Sequence, residues 1–196
     1  MLDLYHSVDK QLWIEYKNGN LTLDEVLNSR FSKTMSQLGE IVDGAEWEKE
    51  YREFLDMGHQ LIDGALEVCR RLSVSHRLFV ITNGVRKTQI NRLKLAGLYG
   101  FFEDIFDSQS IGFSKPSKEF FSYVMRHIKD FNVREALIIG DSLYMDIKGG
   151  LLAGIDTCWF NRKSQQCSAE IQSTYTIISL AELCDICDRK KSIISS

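Results

Sequence analysis

Ile139-Gly140-Asp141-Ser142-Leu143-Tyr144-Met145-Asp146 closes an apolar run that begins at Ala136, and its reading decides the fold. Ala136-Leu137-Ile138-Ile139-Gly140 is apolar throughout and too short for a free-standing helix. That is the pattern of a strand buried on both faces of a parallel sheet. An acid follows the glycine directly, and a second acid comes five residues later. In open parallel sheets, ligand sites form beyond the carboxyl ends of the strands. Two carboxylates brought together there repel and raise one another's pKa unless a cation lies between them. Mg²⁺ suits such a pair, because it takes one or two carboxylates together with substrate oxygens. An Asp at a helix start is equally an N-cap, and the pair Asp141 and Asp146 alone supports both readings.

Upstream, Arg77-Leu78-Phe79-Val80-Ile81-Thr82 is another short apolar run, ending in Asn83-Gly84 before a helical pattern. A hydroxyl, an amide and backbone N–H groups at a helix start form a phosphate cradle. Thr, Asn and Gly are also favoured in ordinary strand-to-helix turns, so Thr82, Asn83 and Gly84 do not decide the matter by themselves. Between the two tips lies Gly112-Phe113-Ser114-Lys115-Pro116-Ser117-Lys118-Glu119, which holds the chain's one proline. Proline fixes φ and pushes its predecessor away from helix, so Lys115 is held extended at the mouth of a helix. An ammonium held there neutralises a phosphate as a point charge, although most lysines are solvated surface groups.

The rest of the chain fits an α/β protein with a helical appendage. Residues 1–57 read as helical and 58–196 as alternating helix and strand. Tyr5, Val8, Leu12 and Tyr16 recur at helical spacing, and Asn18-Gly19-Asn20 breaks that helix. Thr22 with Glu25 forms a capping box for a second helix, and a third spans roughly 45–55. Further helices are expected over 61–72, 88–95, 117–128, a stretch reaching about 152, and 180–187. A weak strand falls at 102–106, and candidate edge strands at 157–160 and 175–178.

Composition excludes some partners. The formal net charge is −3, from 24 Lys and Arg against 27 Asp and Glu, so no general attraction to nucleic acid or anionic membrane is expected. No stretch reaches the ~18 apolar residues of a membrane span. Five cysteines without a regular framework fit reduced thiols in a cytoplasmic protein. Cys184-Asp185-Ile186-Cys187 is a lone C-x-x-C, better read as part of a surface helix than as a zinc or redox site.

Thr82-Asn83, then Lys115-Pro116, then Gly140-Asp141 with Asp146 resemble, in order and spacing, motifs two to four of the haloacid dehalogenase superfamily. Leu12-Trp13-Ile14-Glu15-Tyr16-x-x-Gly19, Arg30-Phe31 and Gly58-His59-Gln60-Leu61-Ile62 are similar to its pyrimidine 5′-nucleotidase subgroup. So are Thr82-Asn83-Gly84-Val85 and Asp156-Thr157-Cys158-Trp159. This is the bacterial house-cleaning type, with a helical cap inserted after the first strand of a Rossmann-like parallel sheet. The resemblance implies hydrolysis of phosphomonoesters, foremost pyrimidine nucleoside monophosphates, through an aspartyl-phosphate with Mg²⁺. It gives Thr82, Asn83 and Gly84 to the phosphoryl group, Lys115 to charge stabilisation, and Asp141 and Asp146 to the metal. Trp13, Tyr16 and Arg30, with Phe31, become candidate contacts to the substrate base, although packing explains Trp13 and Phe31 as well.

Members of that family begin with an apolar strand ending in D-x-D-x-T, whose first aspartate is the nucleophile, and the sequence contains no such pattern. The family places that strand between those ending in Thr82 and Gly140. The chain is therefore expected to be a family member without its N-terminal segment, by shortened coding frame or by fragment, and to be inactive. Losing four or five buried apolar side chains would forfeit on the order of 6–15 kcal/mol, comparable to a whole domain's stability. Restoring an in-frame upstream segment is expected to restore solubility and activity. The alternatives are a non-catalytic phosphate-binding pseudo-phosphatase, a phosphoacceptor receiver domain and a dehalogenase. The receiver is discounted because its acids come first in the chain, and the dehalogenase because it gives the two acids no purpose.

Overall fold

The structure is a computed structural model that describes residues 1–166 and 170–194, so Cys167 lies outside the described residues. The chain divides into two compact units, Met1–Gly58 and His59–Ser196.

The first unit consists of helices α1 (Leu2–Lys17), α2 (Leu23–Ser36) and α3 (Gly44–Met57). Val8, Leu12 and Val26 form its buried centre, with Leu4, Trp13, Tyr16 and Leu21 packed around them. The expected capping box is present: Thr22 Oγ1 accepts from Glu25 N–H at 3.2 Å, and a Glu25 carboxylate oxygen accepts from Thr22 N–H at 2.7 Å. Asp43 caps α3 by accepting from the N–H groups of Ala45 and Glu46. Gly44 opens that helix where a Cβ would collide with the Asn28 carbonyl, so α3 approaches α2 through a residue without a side chain.

The second unit alternates α4 (Ala65–Ser73), β1 (Phe79–Thr82), α5 (Arg86–Leu95), β2 (Asp104–Asp107), the short α6 (Ser108–Ile111) and α7 (Lys118–His127). It continues with β3 (Leu137–Gly140), α8 (Lys148–Leu152), β4 (Asp156–Phe160), β5 (Tyr175–Ile177) and α9 (Glu182–Ile194). All strand pairs are parallel, as continuous apolar runs separated by helices require. They form two sheets, β1–β2 and β3–β4–β5. Among the described residues, β1 and β3 each keep one edge with no strand beside it. Both are only partly buried, and Ile139 is exposed, whereas β4 is buried from Thr157 to Phe160.

Two expectations need correction. Helix α4 starts at Ala65, not at 61, because Gly64 adopts φ +80° at the helix start and leaves Leu61 and Ile62 exposed ahead of it. Strand β4 is not an edge strand: it lies between β3 and β5. Cys184 and Cys187 lie on α9, which exposes Glu182, Asp185 and Asp188 and turns both thiols inward. They are buried with Cys158, Val68, Leu72 and Ile177 between α4, β4 and α9. Burial, with Cys187 and Glu182 nearby, pushes the Cys158 thiol up to about 12, which marks a core thiol rather than a reactive one.

Candidate active site

The tips of β1 and β3 and the Lys115 loop are tied together by side chains. Lys115 is the centre. Its ammonium donates to the Ile81 carbonyl at 3.0 Å and to Asp146 Oδ1 at 2.6 Å, so two of its three N–H groups are engaged within the protein. The other Asp146 oxygen accepts from Ser142 N–H at 3.1 Å. Asp146 is held there by one turn of π-helix, Leu143–Ile147, whose first residue follows the capping Ser142 hydroxyl. Single π turns of this kind are frequent at functional sites. Gly140 is required beneath it, since a Cβ at that position would overlap the Asp146 carboxylate.

Asn83, one residue past β1, faces the Lys115 main chain. Its Oδ1 accepts from Lys115 N–H at 2.9 Å and its Nδ2 donates to the Lys115 carbonyl at 3.0 Å. The same Nδ2 lies 3.9 Å from Met145 Sδ, on the turn that carries Asp146. Thr82 Oγ1 accepts from Gly84 N–H at 2.9 Å, which leaves the hydroxyl proton to donate elsewhere and engages the Gly84 N–H. A Cβ at Gly84 would meet the far end of the Gln89 side chain, which would have to swing aside.

Asp141 differs from Asp146. Its residue is exposed, and among the described residues its carboxylate carries no hydrogen bond, while its carbonyl accepts from Trp159 Nε1 at 3.0 Å. Trp159 is 1% exposed, so the strand tip that presents Asp141 is anchored on a buried ring. A free carboxylate at a strand tip, with Asp146 behind it, fits one hard cation that completes its shell with water and phosphate oxygens. Among the described residues, no group of three or more His, Cys, Asp and Glu side chains gathers to form a cage.

Helix α8 closes the back of the site through two glycines. A Cβ at Gly149 would strike the Phe121 ring and come within 3.3 Å of Pro116 Cα, and one at Gly150 would strike the Thr157 methyl. The sequence reading missed Asp107 at the tip of β2, which pairs in register with Thr82. It is fully buried, accepts from Ser110 N–H at 2.8 Å and takes Arg86 Nη1 at 3.2 Å. Burial pushes its pKa up, but the Ser110 bonds and the Arg86 guanidinium outweigh this and hold it below the usual carboxylate value. An acid closing the run Ile105-Phe106, with Ser110 three residues on, was the available signal.

The other named residues belong to the helical unit. Trp13 and Tyr16 meet edge to face, with centroids 5.6 Å apart. Arg30 is 8% exposed and grips Glu48 with two bonds, Nε at 2.7 Å and Nη2 at 2.9 Å, with Asp9 at 3.4 Å. Arg52 reaches the same Glu48 at 2.8 Å, and the Arg30 guanidinium also lies 4.9 Å from the Tyr51 ring centroid. Phe31 stacks on Tyr5 with centroids 5.4 Å apart, and burial pushes the Tyr5 hydroxyl pKa up.

Parallel strands with hydroxyl, ammonium and carboxylate groups gathered at their tips make this an α/β protein with a polar site beyond its strand ends. The chain belongs to the haloacid dehalogenase-like hydrolases, whose family pattern it matches over residues 4–160. It is 46% identical to the HAD-hydrolase YfnB of Bacillus subtilis over 189 residues, which cover 96% of this chain and 80% of YfnB. The crystal structure of YfnB bound to magnesium superposes with a TM-score of 0.87, over 95% of this chain and 83% of that one. The chain is also 32% identical to the pyrimidine 5′-nucleotidase PynA of Streptococcus pneumoniae, covering 95% of this chain and 79% of PynA. It is 30% identical to the pyrimidine 5′-nucleotidase YjjG of Escherichia coli, covering 91% and 79%.

Proposed function

We propose that this chain carries the phosphate- and metal-holding part of a Mg²⁺-assisted phosphatase acting on pyrimidine nucleoside 5′-monophosphates in the cytoplasm. The observation that carries the proposal is the Lys115 ammonium, fixed between the Ile81 carbonyl and Asp146 with one N–H left over. That N–H and the Thr82 hydroxyl proton are donors for a phosphoryl oxygen, and the Asn83 N–H belongs to the same tip. A fixed cation in a sparsely hydrated site stabilises charge far better than one in open water. Asp141 would hold Mg²⁺ and Asp146 would act from behind, steering Lys115. When bound, Mg²⁺ would neutralise charge on the phosphoryl oxygens. The names of PynA and YjjG support the pyrimidine nucleotide class, and the magnesium-bound YfnB supports the metal.

Within the helical unit, Trp13 and Tyr16 are the proposed contacts to the base. Arg30 is assigned instead to holding Glu48. No helix among the described residues is long and apolar enough to cross a membrane.

The family nucleophile lies in a D-x-D-x-T pattern, which this sequence does not contain, so the 196-residue chain is proposed to bind phosphomonoesters without turning them over. The test is calorimetric titration with uridine 5′-monophosphate in Mg²⁺ and in EDTA, alongside phosphate release from a panel of nucleoside monophosphates. Metal-dependent binding that Thr82→Ala and Asp141→Asn each weaken at least tenfold is expected, without release. Absence of binding at millimolar ligand would sink the phosphate reading, and rapid release would sink the non-catalytic part.

A further inference from the structure

The geometry points to Asn83 as a positioning residue for Lys115, and the Asn83 side chain does not itself hold the phosphoryl group. This inference rests on the phosphate reading and assigns the device that aims its cation. Both polar atoms of the Asn83 side chain are already engaged on one residue, 32 positions away in sequence. The Lys115 N–H can only donate and its carbonyl can only accept, so the amide has one orientation and forms a two-point clamp like a rung of sheet pairing. The clamp fixes the main chain of Lys115 to the tip of β1, while the ammonium of the same residue returns to β1 at the Ile81 carbonyl. Backbone and side chain of Lys115 are therefore referenced to one strand, two residues apart. The Asn83 amide also faces Met145, on the turn that carries Asp146, so it touches both loops that deliver the Lys115–Asp146 pair.

A lysine side chain has four rotatable carbons and no preference for one geometry. Held at its main chain, at its ammonium and by Asp146, this one keeps a single remaining N–H pointed at the site. Without the clamp, the loop before Pro116 is free to shift, and a shift of about 1 Å at a positioned group is enough to weaken binding severely.

Two measurements test the assignment on the full chain. The first needs no ligand. Amide hydrogen exchange at Lys115 is expected to be slow in the wild type and to speed up at least tenfold in Asn83→Ala, with the amides of α7 unchanged. Equal exchange in both proteins overturns the clamp. The second is a cycle of inorganic phosphate affinities in Mg²⁺ buffer for wild type, Asn83→Ala, Lys115→Gln and the double variant. Lys115→Gln keeps a donor for Asp146 and Ile81 but removes the charge. Asn83→Ala is expected to weaken phosphate binding about tenfold in the wild type, as loss of two hydrogen bonds implies, and to change it less than twofold beside Lys115→Gln. Penalties that add in full mean that Asn83 touches phosphate directly, and overturn the inference while leaving the phosphate reading intact. Should Asn83→Ala fail to fold, Asn83→Leu replaces it in both measurements, since it keeps the size of the side chain and removes both hydrogen bonds without adding charge. A wild-type chain that binds no phosphate overturns the reading and, with it, any role for Asn83 in aiming a cation at that ligand.

Discussion

The Lys115 ammonium and the Asp146 carboxylate meet at 2.6 Å with side chains only 11% and 9% exposed. At that burial the pair resembles an interior ion pair, where removing one partner strands a charge. Asp146→Ala leaves the ammonium with the Ile81 carbonyl alone and is expected to destabilise the protein by about 3–5 kcal/mol. Urea unfolding of the variant and wild type measures this. A loss under ~1 kcal/mol would place the pair in water, as for an exposed salt bridge.

Gly140 controls the same pair through space alone. A methyl group there overlaps the Asp146 carboxylate, which cannot retreat without giving up Lys115 or Ser142 N–H. Gly140→Ala is expected to cost about 1–3 kcal/mol, as overpacking does, and to weaken phosphate binding as well. Calorimetry with inorganic phosphate and a thermal melt report the two effects separately. Unchanged values in both would show that Asp146 moves freely.

How much of this was legible in the sequence depends on how local the signal is. The capping box at Thr22 and Glu25 is a contact between residues three apart, and it formed as written. The strand runs ending at Thr82 and Gly140 were visible for the same reason: apolar runs of that length bounded by turn residues admit few other structures. The start of α4 was misread because Leu61 and Ile62 continue the helical period, while the left-handed backbone at Gly64 leaves no such mark. Each sheet pairs strands that follow one another in the chain, and which strand lies beside which is set by how the crossovers pack rather than by local pattern.

The site shows the same contrast. Its residue types and their order along the chain could be read, but not which atoms meet. Two acids five apart suggest a metal pair, yet Asp146 turns toward an ammonium 31 residues away and Asp141 does not. Asp107 was overlooked because an acid at the end of a strand is indistinguishable in sequence from a solvated turn residue. In the fold it is fully buried and pairs with Arg86 at the start of α5, the helix between β1 and β2.

Arg30 provides a prediction for the helical unit. Its fork on Glu48, the bond to Asp9 and the Tyr51 ring make it a structural group. Arg30→Met is expected to destabilise the protein by about 3 kcal/mol, at the lower end for a buried pair because Arg52 still reaches Glu48. Arg30→Lys should recover only part of this, since a point charge cannot form the two-bond fork. Unfolding curves for both variants, with uridine 5′-monophosphate titration below their melting range, separate structure from recognition. A large loss of nucleotide affinity with no change in stability would return Arg30 to the base-binding role.

Asp107 predicts an acid limb of stability. Its folded-state pKa lies below the ordinary value, because the Ser110 bonds and the Arg86 guanidinium outweigh the opposing effect of burial. The charged form is thus favoured in the folded state, and its contribution is complete above the ordinary carboxylate pKa of about 3.9. As pH falls below that value the unfolded chain takes up the proton first, and the contribution drains away until the folded-state pKa is passed. Asp107→Asn keeps an acceptor for Ser110 N–H but removes the charge that holds Arg86. The variant is expected to be less stable than wild type near neutral pH, with the gap narrowing steadily as pH drops below about 4. Urea midpoints measured from pH 7 down to pH 3 give the curve directly. A gap that stays constant across that range would mean that Asp107 is no more charged by folding than an aspartate in water.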